Sequence, residues 1–483
     1  MTRKWLAILL ALCFLSCKKE LINPSLPPVY SFPEVNNLPA GYYFPLTVTV
    51  DQNTLGYKIP SNFEGLSYET GLLTESPEFL NENNKTLIQL IKNLGNGILR
   101  IGGNSSDKTD WTGTTRVPGT DVKALTTSDI DRLSAFSRAI GWQVMFGLNL
   151  AKYDPSTASN EAKYVRNSLK GNLYALQFGN EPDVFRLGPR SSKYNYKNYQ
   201  QEWETYLSAV KKMAPNVAFA GPDVTPFNND WIKWFAANEN KNITLMDGHY
   251  YVTGPASDSS ITCRNILTDN PKLTGYLSSL YSESAKYNLP FRISECNSVW
   301  GGGKRGVSDT FASSLWALDF MWTVAENRGQ GINFHGGGNW FRYSPIGVDN
   351  GEFSARPEYY AMLAFKYGAT GQTIIPATIS KPWFNISVHA CVNSNNTYSV
   401  TIINKEILKQ FSVKILLNKT ASTVQVARLA APLINSATDV TFAGSSVNTD
   451  GTFKPAITEQ STPNQKSFVV TIPALSAAVI TVQ

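Results

Sequence analysis

Short apolar runs alternate with longer stretches of helical spacing between residues 62 and 337. Each run leads into polar or glycine-rich residues, as expected of strands that end in loops. The stretches between them place apolar residues three and four positions apart, which is typical of amphipathic helices. The eight apolar runs cover residues 62–69, 97–103, 143–150, 173–180, 217–223, 245–251, 290–295 and 331–337. Because parallel neighbours need crossover connections, which helices usually supply, the pattern predicts an α/β fold, a (β/α)8 TIM barrel.

The last part of the chain has a different pattern. Alternating segments such as 398–403 and 467–472 are separated by clusters of Asn, Gly, Pro and Ser. This pattern predicts a C-terminal antiparallel β-sandwich over residues 376–483. The strand-like segment 42–50 precedes the first barrel strand, and we expect it to join the sandwich although the catalytic barrel is placed at 42–375.

The N-terminus is predicted to be a targeting segment. Arg3 and Lys4 precede an apolar run that ends before Cys17, so residues 1–16 resemble a bacterial lipoprotein signal with Cys17 as the lipidated residue. The alternatives are an ordinary secretory signal or a membrane anchor, but eleven apolar residues are too few to span a bilayer. Residues 17–41 contain several prolines and are expected to act as a tether. We therefore expect an exported lipoprotein on the periplasmic or cell-surface face of a membrane.

Composition narrows the class of protein. With 483 residues and 42% hydrophobic content, the chain can bury a large core and more than one domain. There are 43 Lys and Arg against 37 Asp and Glu, and removing Arg3 and Lys4 leaves a net charge of about +4. This excess is too small to indicate nucleic-acid binding. The remaining cysteines, Cys263, Cys296 and Cys391, lack metal or disulfide spacing, so neither a metal nor a cofactor is predicted.

Two glutamates stand where predicted strands end. Glu181 lies in the segment Gly179–Asp183 directly after the fourth strand, and Glu295 ends the seventh. Barrel enzymes carry their catalytic residues at this end of the strands. Two carboxylates in one barrel are the pair that glycoside hydrolysis requires.

Three ordered motifs carry a family resemblance. Residues 99–106 read LRIGGNSS, residues 176–183 read LQFGNEPD, and residues 294–303 read SECNSVWGGG, followed by VSDTFA at 307–312. Together they resemble glycoside hydrolase family 79, which contains β-glucuronidases and the heparanases. The resemblance covers roughly residues 42–483. It implies a retaining enzyme with a barrel and a β-sandwich, and therefore Glu181 as the acid/base and Glu295 as the nucleophile.

Several neighbours are candidate binding residues. Arg100 is placed to keep Glu295 ionised, Asn180 to bind the sugar 2-hydroxyl, and Asn104 of the first motif to contact substrate. His249 and His335 end the sixth and eighth predicted strands. Each could either pack at the barrel mouth or contact the nucleophile or the sugar directly. Three tryptophans in loops could stack on a sugar ring or pack in the core: Trp111, Trp300 and Trp340.

The resemblance also bears on the substrate. In family members that act on glucuronides, tyrosine hydroxyls and backbone amides of a Gly-rich loop hold the uronate. Here Gly302 lies in that loop and Tyr343 is a candidate hydroxyl, but Trp300 stands where a tyrosine is expected. The expected activity is an exo-acting β-glucuronidase or 4-O-methyl-glucuronidase on uronic-acid-containing glycans. The alternatives are a retaining β-glycosidase for a neutral sugar, including a β-xylosidase or arabinofuranosidase, and a non-catalytic glycan-binding lipoprotein.

Overall fold

The barrel prediction is confirmed by the computed structural model, which describes residues 42–114, 124–337 and 341–483. Each of the eight apolar runs overlaps a strand, and we number these strands as barrel strands 1 to 8. Their bounds are Gly65–Glu69, Ile98–Gly102, Gln143–Leu148, Leu173–Phe178, Ala220–Val224, Leu245–Thr253, Phe291–Val299 and Ile332–Gly336. The predicted leader 1–16, the tether 17–41 and Cys17 lie outside the described residues.

The eight strands close on themselves. Each strand pairs in parallel with its neighbour in chain order, and strand 8 pairs with strand 1. The circle closes between strands 4 and 5, where the Leu176 amide donates a hydrogen bond of 2.9 Å to the Ala218 carbonyl. The carboxyl ends of all eight strands therefore meet at one mouth, where barrel active sites lie.

Helices follow the strands around the outside of the barrel. Their bounds are Leu72–Glu75, Lys85–Asn93, Thr127–Ile140, Pro155–Leu169, Tyr196–Met213, Asn229–Glu239, Cys263–Leu267, Pro271–Tyr287, Phe311–Glu326 and Pro357–Gly368. Local sequence sets their ends: the Asp154 carboxylate caps the helix that begins at Pro155, and Gly141 ends another in the left-handed region at φ 76°. No helix in the described ranges combines the length and the apolar character needed to cross a bilayer.

Two sheets form the sandwich. One contains Ala377–Ile379, Phe44–Val50, Phe411–Leu417 and Ser467–Ile472 in that order. The other contains Thr373–Ile375, Ile386–Val392, Tyr398–Asn404, Ser476–Val482, Val424–Ala430 and Thr441–Phe442, with Glu459–Gln460 beside Val424–Ala430. Pairing is antiparallel except between Phe44–Val50 and Phe411–Leu417, which run parallel because the N-terminal strand enters from before the barrel. The described residues also form two small two-stranded sheets. They pair Ile346–Asp349 with Glu352–Ala355 and Asp110–Trp111 with Ala124–Leu125.

Candidate active site

Glu181 lies at the turn that ends strand 4. Its backbone is in the left-handed region at φ 50°, and its amide donates to the Asp223 carbonyl at 2.9 Å. A left-handed residue other than glycine is uncommon, and such residues cluster at functional sites. The side chain keeps 22% of its surface exposed, so water can reach it.

Glu295 lies within strand 7 rather than at its end. The strand continues to Val299, so the expectation that the strand ends at Glu295 is wrong. Strand 6 also continues past His249 to Thr253, and the two strands pair beyond the barrel mouth. The pairing of strand 7 shifts register between Ile293 and Glu295, as at a β-bulge. A bulge redirects the side chains beside it, which here lets Ser294 and Glu295 both contact the residues inside the barrel.

The two glutamates are close together. A carboxylate oxygen of Glu181, a carboxylate oxygen of Glu295 and a ring nitrogen of His249 all lie within 4.8 Å of one another. Retaining glycosidases hold their two carboxyl groups about 5 Å apart, whereas inverting enzymes leave roughly 6.5–9.5 Å for a water molecule. An oxygen–oxygen distance of at most 4.8 Å is compatible with the retaining spacing.

Arg100 is the centre of the hydrogen-bond network. Its Nη1 donates to Glu295 Oε2 at 2.6 Å, and its Nη2 donates to Asp223 Oδ2 at 2.6 Å. The same guanidinium also donates to Ser67, to Gln177 and to Asn180 Oδ1, the last at 2.9 Å. Burial opposes its charge, but Asp223 and Glu295 raise the pKa of Arg100 above its usual value. A buried cation thus lies directly against the Glu295 carboxylate.

Glu295 is surrounded by donors. Besides Arg100, the Tyr251 hydroxyl donates to its Oε1 at 2.8 Å, and His335 Nδ1 lies 3.6 Å from its Oε2. Burial alone would raise the pKa of Glu295, but His335, His249 and Arg100 outweigh burial and hold that pKa well below its usual value. Glu295 is therefore an ionised carboxylate at neutral pH.

His249 links the two sides of the site. Its Nδ1 lies 3.0 Å from Glu181 Oε1, and its Nε2 lies 3.0 Å from Asp223 Oδ1. The ring is fully buried, which lowers its pKa, but Asp223 and Glu295 raise the pKa of His249 well above its usual value. The two ring nitrogens of His249, one facing Glu181 and the other facing Asp223, fix the direction of the Glu181 side chain.

Asp223 anchors this network from strand 5. The carboxylate accepts from Arg100, His249, Gln177 and Ser294, and its backbone adopts φ 57° where the pairing of strands 5 and 6 shifts register. Despite burial, Arg100 and His249 lower the pKa of Asp223 to about 2. Burial and the Asp223 charge raise the pKa of neighbouring Asp247 to about 8, so one proton stays with this pair at neutral pH. At neutral pH the Asp223–Asp247 pair therefore carries one negative charge, which avoids the repulsion between two adjacent carboxylates.

Asn180 and Asn104 lie side by side at the mouth. Asn180 Nδ2 donates to Asn104 Oδ1 at 3.4 Å, and the Asn180 amide donates to Asp107 at 2.8 Å. Asn180 is buried and Asn104 is exposed. His335 joins the opposite wall, with Ser67 Oγ 2.9 Å from its Nδ1 and Glu69 Oε1 3.6 Å from its Nε2.

Tyr343 lies beside Tyr251, and the Gly-rich loop contacts the segment that carries Tyr343. The Tyr343 ring lies 5.8 Å from the Tyr251 ring, and burial raises the pKa of Tyr343 well above its usual value, so its hydroxyl stays protonated. Gly302 adopts φ 90°, a conformation that favours glycine, and its carbonyl accepts from the Arg342 amide at 2.6 Å. This hydrogen bond connects the Gly-rich loop to the segment that carries Tyr343.

The tryptophans differ in their environment. Trp300 is 44% exposed and lies over Gly254, where an added Cβ would approach its indole to 2.4 Å. Trp111 is buried, and its Nε1 donates to Asn160 at 2.8 Å, which favours the packing alternative. Trp340 lies outside the described residues.

Sequence reasoning missed several members of the site, which are Ser67, Glu69, Gln177, Asp223, Asp247 and Tyr251. Three of them carried a usable signal. Glu69 and Asp223 are the last residues of the predicted runs 62–69 and 217–223, so the strand-end criterion that selected Glu295 applies to them as well. Tyr251 ends the predicted run 245–251 in the same way.

Glu181, His249 and Glu295 are also the residues that could hold a metal ion within the described ranges. All three side chains already have hydrogen-bonding partners in the network, with Arg100 against Glu295 and Asp223 against His249. The expectation that no metal is needed stays a prediction, which treatment with a chelator tests.

Sequence comparison finds relatives with glycosidase names, and no family model matches the chain. A β-glucuronidase of Aspergillus niger is 25% identical over 349 residues, 62% of this chain and 64% of that protein. A hyaluronoglucuronidase of Hirudo nipponia is 21% identical over 77% of this chain and 83% of that protein. Bos taurus heparanase is 23% identical over 56% of this chain and 50% of that protein. The chain thus matches slightly less than two thirds of the length of the Aspergillus niger protein.

Solved structures show the same fold. A 4-O-α-L-rhamnosyl-β-D-glucuronidase from Fusarium oxysporum aligns with a TM-score of 0.75 and 17% identity, covering 90% of this chain and 100% of that chain. A family 51 arabinofuranosidase from Xanthomonas axonopodis aligns with a TM-score of 0.70 and 15% identity, covering 91% and 100%. Such identities establish the architecture alone. The relatives found by sequence confirm the resemblance drawn from the three motifs, which is to glycoside hydrolases that include β-glucuronidases and heparanases.

Proposed function

We propose that the chain is a retaining β-glycosidase in which Glu295 is the nucleophile and Glu181 the acid/base. The carrying observation is that oxygens of these two carboxylates lie within 4.8 Å of each other. This distance is compatible with direct attack by one carboxylate, as in a retaining enzyme.

The first step uses the charge on Glu295. Its oxygen attacks the anomeric carbon, the bond to the leaving oxygen breaks, and Glu181 gives its proton to that oxygen. Arg100 and Tyr251 hold Glu295 at 2.6 and 2.8 Å, so the nucleophile is fixed before the sugar arrives. The products of this step are a glycosyl ester on Glu295 and a free leaving group.

The second step reverses the roles. Glu181, now a carboxylate, takes a proton from water, the water oxygen bonds to the anomeric carbon, and Glu295 is released. The side chain of Glu181 is the more exposed of the two, at 22% against 8%, which suits the residue that must meet solvent water. The configuration at the anomeric carbon is retained.

A β-glucuronide is the substrate class that we propose. The relatives found by sequence include β-glucuronidases and a hyaluronoglucuronidase. Tyr343 offers a protonated hydroxyl beside Tyr251, and the amides of Gly301 and Gly302 donate to none of the residues that the structure describes. These donors can bind the uronate carboxylate, because a carboxylate accepts such bonds more strongly than a hydroxyl does.

A panel of 4-nitrophenyl glycosides tests the proposal. The β-glucuronide should have the highest kcat/KM, with β-glucoside, β-xyloside and α-arabinofuranoside at least ten-fold lower, a difference of about 1.4 kcal/mol. Preference for a neutral sugar would contradict the uronide assignment and leave the retaining mechanism standing. No turnover of any glycoside would favour the glycan-binding alternative.

We also propose that the chain is an exported lipoprotein held to a membrane through Cys17, on the basis of the leader-like residues 1–16. Metabolic labelling with a fatty-acid analogue should label the wild type but not Cys17→Ser. Equal labelling of both would contradict the anchor.

A further inference from the structure

An exposed apolar patch lies at one end of the sandwich, and the mechanism proposed above does not use it. Trp383, which is 72% exposed, lies in the loop 380–385, and Leu408 is exposed in the loop 405–410. Tyr42, also exposed, lies just before the first sandwich strand of the chain. We call these three side chains the sandwich patch. Clusters of exposed apolar residues mark surfaces that contact another protein or a membrane.

The aromatic members of the sandwich patch rest on a layer of packed rings. The Phe384 ring lies 6.1 Å from Trp383, 6.0 Å from Phe44 and 5.1 Å from Phe411, measured between centroids. Phe44 in turn packs edge to face with Tyr42 at 5.1 Å. Phe411 is buried, so this layer reaches the sandwich core. Trp383 and Tyr42 therefore lie outside a core that is already closed by other aromatic side chains.

The two loops of the sandwich patch are held against each other. The Asn385 amide donates to Glu406 Oε1 at 3.0 Å, and the Lys405 amide donates to the Asn385 carbonyl at 2.9 Å. The Lys409 ammonium lies 5.4 Å from the centre of the Phe384 ring, as in a cation–π contact. The patch is therefore a preformed surface that does not need to be ordered by a partner.

The loops of the sandwich patch carry an excess of positive charge, with three lysines and one glutamate. Lys405 is buried and pairs with Asp319, whereas Lys381 and Lys409 lie nearer the surface, and Lys409 pairs with Glu406 at 2.7 Å. Trp and Tyr are enriched at the level of lipid head groups, and surface lysines are attracted to anionic lipids. The composition of the patch therefore suits the surface of an anionic bilayer.

The position of the sandwich patch selects the same partner. Residues 17–41 join the described chain at Tyr42, which is part of the patch. A lipid anchor on Cys17, as proposed above, would therefore attach to the body of the protein at this end of the sandwich. The point of attachment is the part of the body that such an anchor holds nearest to the bilayer. Neither a glycan nor a second copy of the chain explains why the patch and the attachment point coincide.

We propose that the sandwich patch docks on the surface of an anionic phospholipid bilayer. Trp383 and Tyr42 lie at the level of the head groups, Leu408 contacts the acyl chains beneath them, and Lys381 faces anionic lipid. The inference rests on the proposed lipid anchor for the choice of partner. The docking itself uses only side chains of the sandwich, so it is measurable without the anchor.

Vesicle binding tests the inference. The chain from residue 17 with Cys17→Ser contains every described residue but neither the leader nor an acyl chain, so any binding comes from the protein surface. It should sediment with vesicles of phosphatidylethanolamine and phosphatidylglycerol. Adding Trp383→Ser should lower the partition coefficient at least ten-fold, equivalent to about 1.4 kcal/mol. Phe227→Ser is the matched control, because Phe227 is 81% exposed in the loop after strand 5, and it should bind like the parent chain.

A charge reversal provides the second arm. Lys381→Glu should weaken binding to the anionic vesicles several-fold and leave binding to neutral phosphatidylcholine vesicles unchanged. The residues changed are at least partly exposed, so each variant should keep the unfolding temperature of the parent chain. This measurement separates a loss of lipid contact from a loss of folded protein.

The outcomes separate the inference from the proposed anchor. Absence of binding to the anionic vesicles, or equal binding with and without Trp383→Ser, overturns the inference. Two other results also overturn it: binding to insoluble xylan in place of vesicles, or dimerisation in sedimentation velocity, if Trp383→Ser abolishes either one. Acylation of Cys17 is measured separately by the labelling described above. Vesicle binding that depends on Trp383, in a chain whose wild type takes up no fatty acid, would support the docking surface and contradict only the anchor.

Discussion

Replacing Arg100 by lysine should move the acidic limb of the pH–rate profile to higher pH. Arg100 donates to Glu295 and Asp223 at the same time, both at 2.6 Å. A lysine ammonium is a single point on a flexible stem and does not reproduce this planar fork. At least one carboxylate then loses its charged donor while it stays buried.

The magnitude follows from the lost hydrogen bond. A hydrogen bond to a charged group contributes about 1.5–3 kcal/mol, and 1.36 kcal/mol corresponds to one pKa unit. The direction of the change in the pH–rate profile follows from the ionisation state of Glu295 in the wild type. Because the pKa of Glu295 lies well below its usual value, the wild-type nucleophile is ionised throughout the working range. Weakening the hydrogen bond between residue 100 and Glu295 raises the pKa of Glu295 by about one to two units. The ionised form of Glu295 is then lost first at low pH.

The assay is kcat/KM against pH with an activated aryl glycoside, since kcat/KM reports ionisations of the free enzyme. Arg428→Lys is the matched control, because Arg428 also forms a fork with a carboxylate, Glu459, but on the sandwich. The control should keep the wild-type profile. An unchanged acidic limb in Arg100→Lys, or a limb displaced to lower pH, would refute the role assigned to Arg100.

Three further results are expected. Glu181→Ala should slow substrates with poor leaving groups far more than those with an activated phenol, with azide restoring turnover of the latter, whereas equal losses would argue against the acid/base role. Tyr343→Phe should lower kcat/KM on a β-glucuronide by a factor equivalent to about 1–3 kcal/mol of transition-state stabilisation and should barely affect the β-glucoside. Equal effects on both substrates would argue against uronate binding. Despite burial, Glu326 raises the pKa of His389 from 6.5 to about 9, so about 3 kcal/mol of stability should be present below pH 6.5 and be lost as pH rises through 9. Denaturant unfolding at several pH values measures the last effect, which His389→Gln should abolish.

The His389 prediction depends on a cluster between barrel and sandwich. His389 Nδ1 lies 2.7 Å from Glu326 Oε1 of the helix Phe311–Glu326, and the ring stacks on Trp322. Asp319 of the same helix lies 3.8 Å from His389 Nε2 and also pairs with Lys405 of the sandwich at 2.7 Å. A stability that does not change between pH 7 and pH 10 would contradict the charge assigned to His389.

The barrel was predictable because each strand and helix has a local signal. The eight apolar runs are bounded by turn residues, and apolar side chains such as Leu87 and Ile91 keep helical spacing and are buried. Arg100, Asn180, His249 and His335 were also within reach, because each stands near the end of a predicted strand.

The remaining parts of the site depend on contacts that spacing does not encode. Glu295 lies inside a strand because strands 6 and 7 pair past the barrel mouth, and the register shift at Ser294 comes from that pairing. The proton that Asp247 keeps depends on burial and on the proximity of Asp223, which is 24 residues away in sequence. The parallel pairing of Phe44–Val50 with Phe411–Leu417 joins segments from opposite ends of the described chain. Long-range contacts of this kind leave no periodic trace in the sequence.

The central claim is that Glu295 forms the covalent glycosyl-enzyme. Incubation with a 2-deoxy-2-fluoro β-glucuronosyl fluoride should trap that ester, because the fluorine slows both steps and the fluoride leaves without a proton. Mass spectrometry of a protease digest should then find one added glycosyl group per chain, on the peptide that contains Glu295, and Glu295→Gln should remain unlabelled. A label on any other residue, or a product of inverted configuration from the unmodified substrate, would contradict the account.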